Sequence, residues 1–181
     1  MTIKTAQDVL DFWFSAQMQP MWFAKSDEID SRIRDTFAPT YEAARRGDLD
    51  DWAATPEGAL ALVIVLDQFP RNIFRGSGRA FEANDIALHR ARAALEAGFD
   101  RQVDPQRRQF FYLPFMHSED LADQNRSVRL YQDLGDAGSL DFAIRHRDII
   151  DRFGRFPHRN AALGRADTPA EQEFLRTHPG F

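Results

Sequence analysis

Two short runs concentrate the residue types that can do chemistry here: Phe69-Pro70-Arg71-Asn72 and Phe156-Pro157-His158-Arg159-Asn160, both of the form F-P-(x)-R-N. Each lies in a window without acids. Gln68 to Phe81 carries Arg71, Arg75 and Arg79, and Arg152 to Ala166 carries Arg152, Arg155, Arg159 and Arg165. Proline fixes φ and suits the first turn of a helix, where N–H groups are free. Guanidinium forks beside free N–H groups suit a phosphate or a carboxylate. The second run also puts His158 and Arg159 just after Pro157, at a helix start. The helix dipole disfavours cations there by roughly 0.3–1 kcal/mol each. Something must offset that cost, either a bound anion or acids of the chain such as Asp67, Asp148 or Asp151.

His117, Glu119 and Asp120 follow Pro114, where a helix is expected to be interrupted. With His158, they can supply a general acid and base or metal ligands. Helix capping explains the acids as well, with Ser118 as N-cap and Glu119 and Asp120 in the first turn. No H-x-x-x-H or H-E-x-x-H pair is present, so a metal site would need ligands from distant segments. No metal or cofactor is expected. His146 falls on an apolar stripe with Phe142, Ile149, Ile150 and Phe153 and reads as a core histidine. Ser118 lacks a G-x-S-x-G elbow, and Gly76-Ser77-Gly78 is too short for a nucleotide loop.

The elements that must position these residues are helices. Thr5 with Asp8 forms a capping box for a helix from about Ala6 to Ala16, and Ser26 caps a second in which Ile29, Ile33, Phe37 and Tyr41 recur every four residues. Gly47 ends that helix, and Pro39 is expected to kink or split it. Thr55-Pro56-Glu57 opens a helix whose body, Ala59 to Leu66, is apolar all round and therefore central. Further starts are expected at Asn84, Asp104-Pro105, Ser118, Ser139, Pro157 and Thr168, the last a capping box with Glu171. Strand-like alternation is absent, so the fold class is all-α, a single domain over residues 1–181 with about seven to nine helices.

Composition narrows the partners. With 23 Lys and Arg against 28 Asp and Glu, the net charge is −5, which argues against general affinity for nucleic acid or anionic lipid. The 43% hydrophobic content, including 16 Phe, is enough for a sizeable, largely aromatic core. The absence of cysteine removes disulfides, thiolate metal sites and a thiol nucleophile. The N-terminus has no apolar signal-peptide core, and the longest apolar run is far below the roughly 20 residues of a membrane span. A soluble cytoplasmic protein is expected.

Three long stretches, Asp67–Gly76, Tyr112–Glu119 and Phe153–Asn160, resemble in content and order the bacterial family catalogued as domain of unknown function 924. The resemblance runs from the Phe12-Trp13-Phe14 helix to Glu171. It implies an all-helical fold grouped with tetratricopeptide-like superhelical arrays, and it implies no activity. The expected function is therefore drawn from the residues. A small phosphate- or carboxylate-bearing ligand is held between the two F-P-R-N segments by Arg71, Asn72, Arg155, Arg159 and Asn160. His117, His158 and Glu119 then serve as catalytic groups of a possible hydrolase or transferase. The alternative is an interaction scaffold for a peptide or protein partner, with the arginines structural.

Overall fold

The run Gly58–Asp67, apolar as far as Leu66, is buried at every position, as a helix with almost no polar face must be. It forms most of α3 (Pro56–Asp67), capped by Thr55, whose hydroxyl accepts from the Gly58 N–H at 3.1 Å. In this computed structural model, which describes residues 2–178, α3 packs against α1 (Ala6–Trp13), α2 (Asp27–Arg46) and α5 (Asn84–Glu96). The short α4 (Phe69–Ile73) leaves α3 at Gln68 with Pro70 in its first turn and packs on α2 and α3. α6 (Pro105–Met116), α7 (Leu121–Leu134), α8 (Ala137–Phe153) and α9 (Pro169–Thr177) complete the chain, and no strand occurs among the described residues. None of the helices is long and apolar enough to cross a membrane.

The chain forms two compact units, Met1–Arg75 with Arg79–Pro114, and Gly76–Gly78 with Phe115–Phe181. The first has an apolar, aromatic interior. Trp13 lies edge-on to Phe69 and Phe110 at 5.7 and 5.8 Å, and Phe37 lies 4.7 Å from Phe69. Trp22 Nε1 donates to Trp13 O at 2.7 Å, so the indole buries its ring without stranding its one donor. Each fully buried Leu, Ile or Val of α3 contributes on the order of 1.5–3 kcal/mol.

In the second unit Ile149, Ile150 and Phe156 pack together with Phe153 and Phe174 on them, and Phe115, Met116, Tyr131 and Ala143 are buried as well. Asp123, Gln124, Ser127, His146, Arg159, Asn160 and Glu171 are buried polar side chains of this unit, as Asp30, Thr40, Asp67, Gln68, Asn72 and Asp100 are of the first. The buried face of α7 is thus Asp123, Gln124, Ser127 and Tyr131. α7 and α8 form a hairpin around Gly135, whose φ of +81° is a left-handed conformation that a glycine adopts without strain.

Several helix boundaries depart from expectation. α1 ends at Trp13, earlier than Ala16. Pro39 lies inside an unbroken α2, and Pro114 inside an unbroken α6. Each proline forfeits one backbone bond and strains the turn before it, about 3 kcal/mol. Burial of Phe37, Thr40 and Tyr41 around Pro39, and of Phe110 to Met116 around Pro114, outweighs that loss. Asp120, not Ser118, caps α7, its carboxylate accepting from the Ala122 and Asp123 N–H groups, and Asp136, not Ser139, caps α8. Asn84 is the first residue of α5 rather than its cap, and its side-chain oxygen accepts from Arg71 Nη2 at 3.0 Å.

Candidate functional site

The centre of the second unit is Phe156, fully buried and held at both backbone polar groups. Its N–H donates to Glu119 Oε1 at 2.8 Å, and its carbonyl accepts from Arg165 Nη2 at 3.1 Å. Pro157 then starts a single 3-10 turn, Pro157–Arg159. Around the Phe156 ring stand the His146 ring at 5.6 Å, the His158 ring at 5.5 Å and the Arg159 guanidinium at 4.3 Å. His117 joins them, its ring 6.4 Å from that of His146.

The cost foreseen for cations after Pro157 is met within the chain. The turn spans three residues, too few to sum a large dipole. Arg159 is buried, and Nη1 donates to His117 O at 3.0 Å while the guanidinium lies over the Phe156 face. Gln124, also buried, donates to Met116 O at 2.7 Å and to Ser118 O at 2.6 Å, so all three carbonyls from Met116 to Ser118 are held. Arg159 and Gln124 therefore set the backbone that carries His117.

His146 was expected to be a core histidine, and it is buried on α8. Its Nδ1–H donates to Phe142 O at 2.8 Å, since a carbonyl can only accept; this leaves Nε2 as the basic nitrogen. Burial first, then the electrostatic influence of His117 and, more weakly, of Arg159 and His158, pushes its pKa down to about 3, against the opposing pull of the Phe142 carbonyl. It is neutral at neutral pH.

Glu119 forms a fork with Arg165, at 2.7 and 3.0 Å, besides accepting from the Phe156 N–H. Burial works against its charge, but Arg165 and the Phe156 N–H outweigh it and lower the pKa. It remains a carboxylate at neutral pH, which makes it a poor proton donor. Glu119 lies outside the first turn of α7, since Asp120 is the N-cap.

The remaining expected ligand-binding residues are engaged by side chains of the chain itself. Arg155 forms a fork with buried Glu171 at 2.6 and 2.8 Å and also donates to Ala166 O at 2.9 Å. Arg155 and the N–H of Thr168 hold the Glu171 carboxyl well below the usual range. Asn160 Nδ2 donates to Asp167 Oδ1 at 2.7 Å. In the first unit, Arg71 pairs with Asp67 at 3.2 Å, and Asn72 Nδ2 donates to buried Asp30 at 2.8 Å. Asp67 is thus one of the acids foreseen; Glu171 takes the place of Asp148 or Asp151 for Arg155.

A cleft of about 550 Å³ opens beside this cluster, within the second unit. Phe142, Ile149, Phe153 and Phe174 supply its apolar walls, and Arg145, Arg152, His158 and His178 are its basic or imidazole groups. His158 is therefore the one expected site residue that lines it. Asp148, the one acid among the described residues that line the cleft, already binds Arg147 at 2.6 Å, and Arg145 pairs with Asp141 at 2.7 Å. Arg152 is different. Its guanidinium lies 4.6 Å from the Phe153 ring centre and 5.8 Å from that of Phe174, and among the described residues no acid pairs with it. Arg152 and Phe174 were not anticipated as site residues. Arg152 was visible as the first cation of the acid-free window, whereas nothing in the sequence relates Phe174 to α8.

These features define an all-helical protein with a polar, histidine- and arginine-bearing second unit. The chain belongs to the family described as bacterial protein of unknown function (DUF924), whose model matches residues 9–179. It is similar to the solved structure of the protein of unknown function ATU0120 from Agrobacterium tumefaciens, with 43% identity, coverage of 96% of this chain and 97% of that chain, and a TM-score of 0.92. No curated protein matches it. The family and this relative agree with the all-α class and are both described as of unknown function, so they assign no activity to the chain.

Proposed function

We propose that the protein binds a small anionic molecule, phosphate- or carboxylate-bearing, in the cleft of its second unit. The observation that carries this is Arg152, a cation set over two aromatic rings beside a cavity of ligand size, with which no acid among the described residues pairs. Arg71, Asn72, Arg155 and Asn160 instead hold Asp67, Asp30, Glu171 and Asp167, which favours a structural role for them. Arg159 and Glu119 then hold the backbone at His117 and Phe156, the latter two residues before His158 on the cleft. If the ligand is turned over by a hydrolase or transferase, His158 is the proton-transferring group, because among the expected catalytic residues it alone lines the cleft.

Titration with phosphate, sulfate and simple carboxylates tests this by melting temperature and calorimetry. A ligand at a hundred times its Kd adds about 2.7 kcal/mol to stability. Arg152→Ala should erase that gain, leaving the unliganded melting temperature within a degree or two because the side chain is exposed. If no anion shifts the wild type, the protein is not an anion binder. The scaffold alternative has one observation in its favour, the exposure of Phe142 (51%) at the cleft, and predicts peptide binding that Phe142→Ala abolishes and Arg152→Ala spares.

A further inference from the structure

We infer that the anion taken by this cleft is a planar aromatic carboxylate, its ring against Phe174 and Phe153 and its carboxylate on Arg152. This rests on the anion-binding proposal and narrows the ligand class. The cleft is lined by aromatic rings that pack on one another. Phe174 and His178 are stacked at 4.7 Å with 1° between their planes, so their outer faces are parallel flat surfaces, and Phe153 stands 5.0 Å from Phe174 at 54°. His178 is held in that orientation by Thr177, whose Oγ1 lies 2.8 Å from His178 Nδ1. A flat ring gains offset-stacked and edge contacts on such walls that a puckered ring does not.

The charge of the site limits the anion. Arg145 and Asp141 neutralise each other, as do Arg147 and Asp148, so among the described residues Arg152 is the fixed charge that remains for a ligand. One guanidinium fork matches one carboxylate in a bidentate pair. Arg152 is also already laid over the Phe153 and Phe174 rings, which places the fork beside the aromatic wall. A ligand joining a ring directly to a carboxylate fits both halves at once, and a bare inorganic anion uses only one.

Calorimetric titration of the full-length protein with benzoate, 1-naphthoate, cyclohexanecarboxylate, benzamide and inorganic phosphate tests the inference. Benzoate and 1-naphthoate should bind, cyclohexanecarboxylate about two- to tenfold more weakly, as expected for the loss of one aromatic pair. Benzamide, which lacks the charge, should not bind. Arg152→Ala should abolish benzoate binding. His178→Ala, at an exposed position that leaves the fold intact, should lower the preference for benzoate over cyclohexanecarboxylate while keeping carboxylate binding. Equal affinity for the aromatic and puckered carboxylates overturns the inference and leaves anion binding standing. Binding of none of these anions overturns both.

Discussion

His146 shows how much a single side chain depends on what surrounds it. Its sequence position made it a core residue; its neighbours made it a neutral base locked in one tautomer. His117, His158 and Arg159 face it, and Phe142 O takes its Nδ1 proton. Because its native pKa is near 3 against about 6.5 for the free side chain, the unfolded chain takes up a proton first. Stability is then full above about pH 6.5 and falls as pH drops toward 3, by at most about 1.4 kcal/mol per pH unit from this group. His146→Asn, whose amide Nδ2 takes the place of Nδ1 and can still donate to Phe142 O, should flatten that limb in urea melts recorded from pH 7 to 4.5. An unchanged slope would show that His146 is not the titrating group. Among the arginines, acid-free neighbours in the sequence did not mean acid-free surroundings in space. Arg155 finds Glu171 sixteen residues away, and Arg165 finds Glu119 forty-six away.

At the scale of elements, caps were legible where the capping residue had no rival. Thr5, Ser26, Thr55 and Thr168 accept from the third N–H beyond them, as their spacing indicates. Thr168→Ala should therefore cost about 1 kcal/mol in a denaturant melt. Ser118 and Ser139 were misjudged because Asp120 and Asp136 lie within three residues, and each aspartate reaches two N–H groups with a charged acceptor. Gly58 shows a constraint invisible in one dimension: a Cβ there would lie 2.1 Å from the Trp52 carbonyl oxygen. Gly58→Ala should thus destabilise the protein despite the better helix propensity of alanine, by more than the roughly 1 kcal/mol that propensity returns. Leu62→Ala in the same helix should cost about 2–5 kcal/mol, through lost burial and the cavity left behind. Both are read from chemical denaturation midpoints.

Across the molecule, the buried histidine belongs to the second unit, and acid should separate the two units. Between pH 6.5 and about 4.5, His146 is a buried group of the second unit whose pKa is lowered through the titrating range, and the carboxylates of Asp30, Glu119 and Glu171 are still charged in both states for most of it. Amides of α8 should then lose protection from hydrogen exchange in that interval while those of α3 keep theirs. Simultaneous loss in both helices would show that the two units unfold as one.

By itself the sequence determined that the protein is helical, that Ala59–Leu66 is central, and which residues carry charge in acid-free windows. Periodicity, caps and an unbroken apolar run are local properties, and a helix is a local structure held by bonds between residues four apart. Tertiary structure alone decided the rest. It passed the prolines at 39 and 114 through unbroken helices, gave Arg155 and Arg165 their acids, turned His146 into a neutral base, and left Arg152 on two rings beside a cleft. Those outcomes depend on which distant side chains arrive within 3 to 6 Å, and distances of that kind are set by packing rather than by neighbours in the chain.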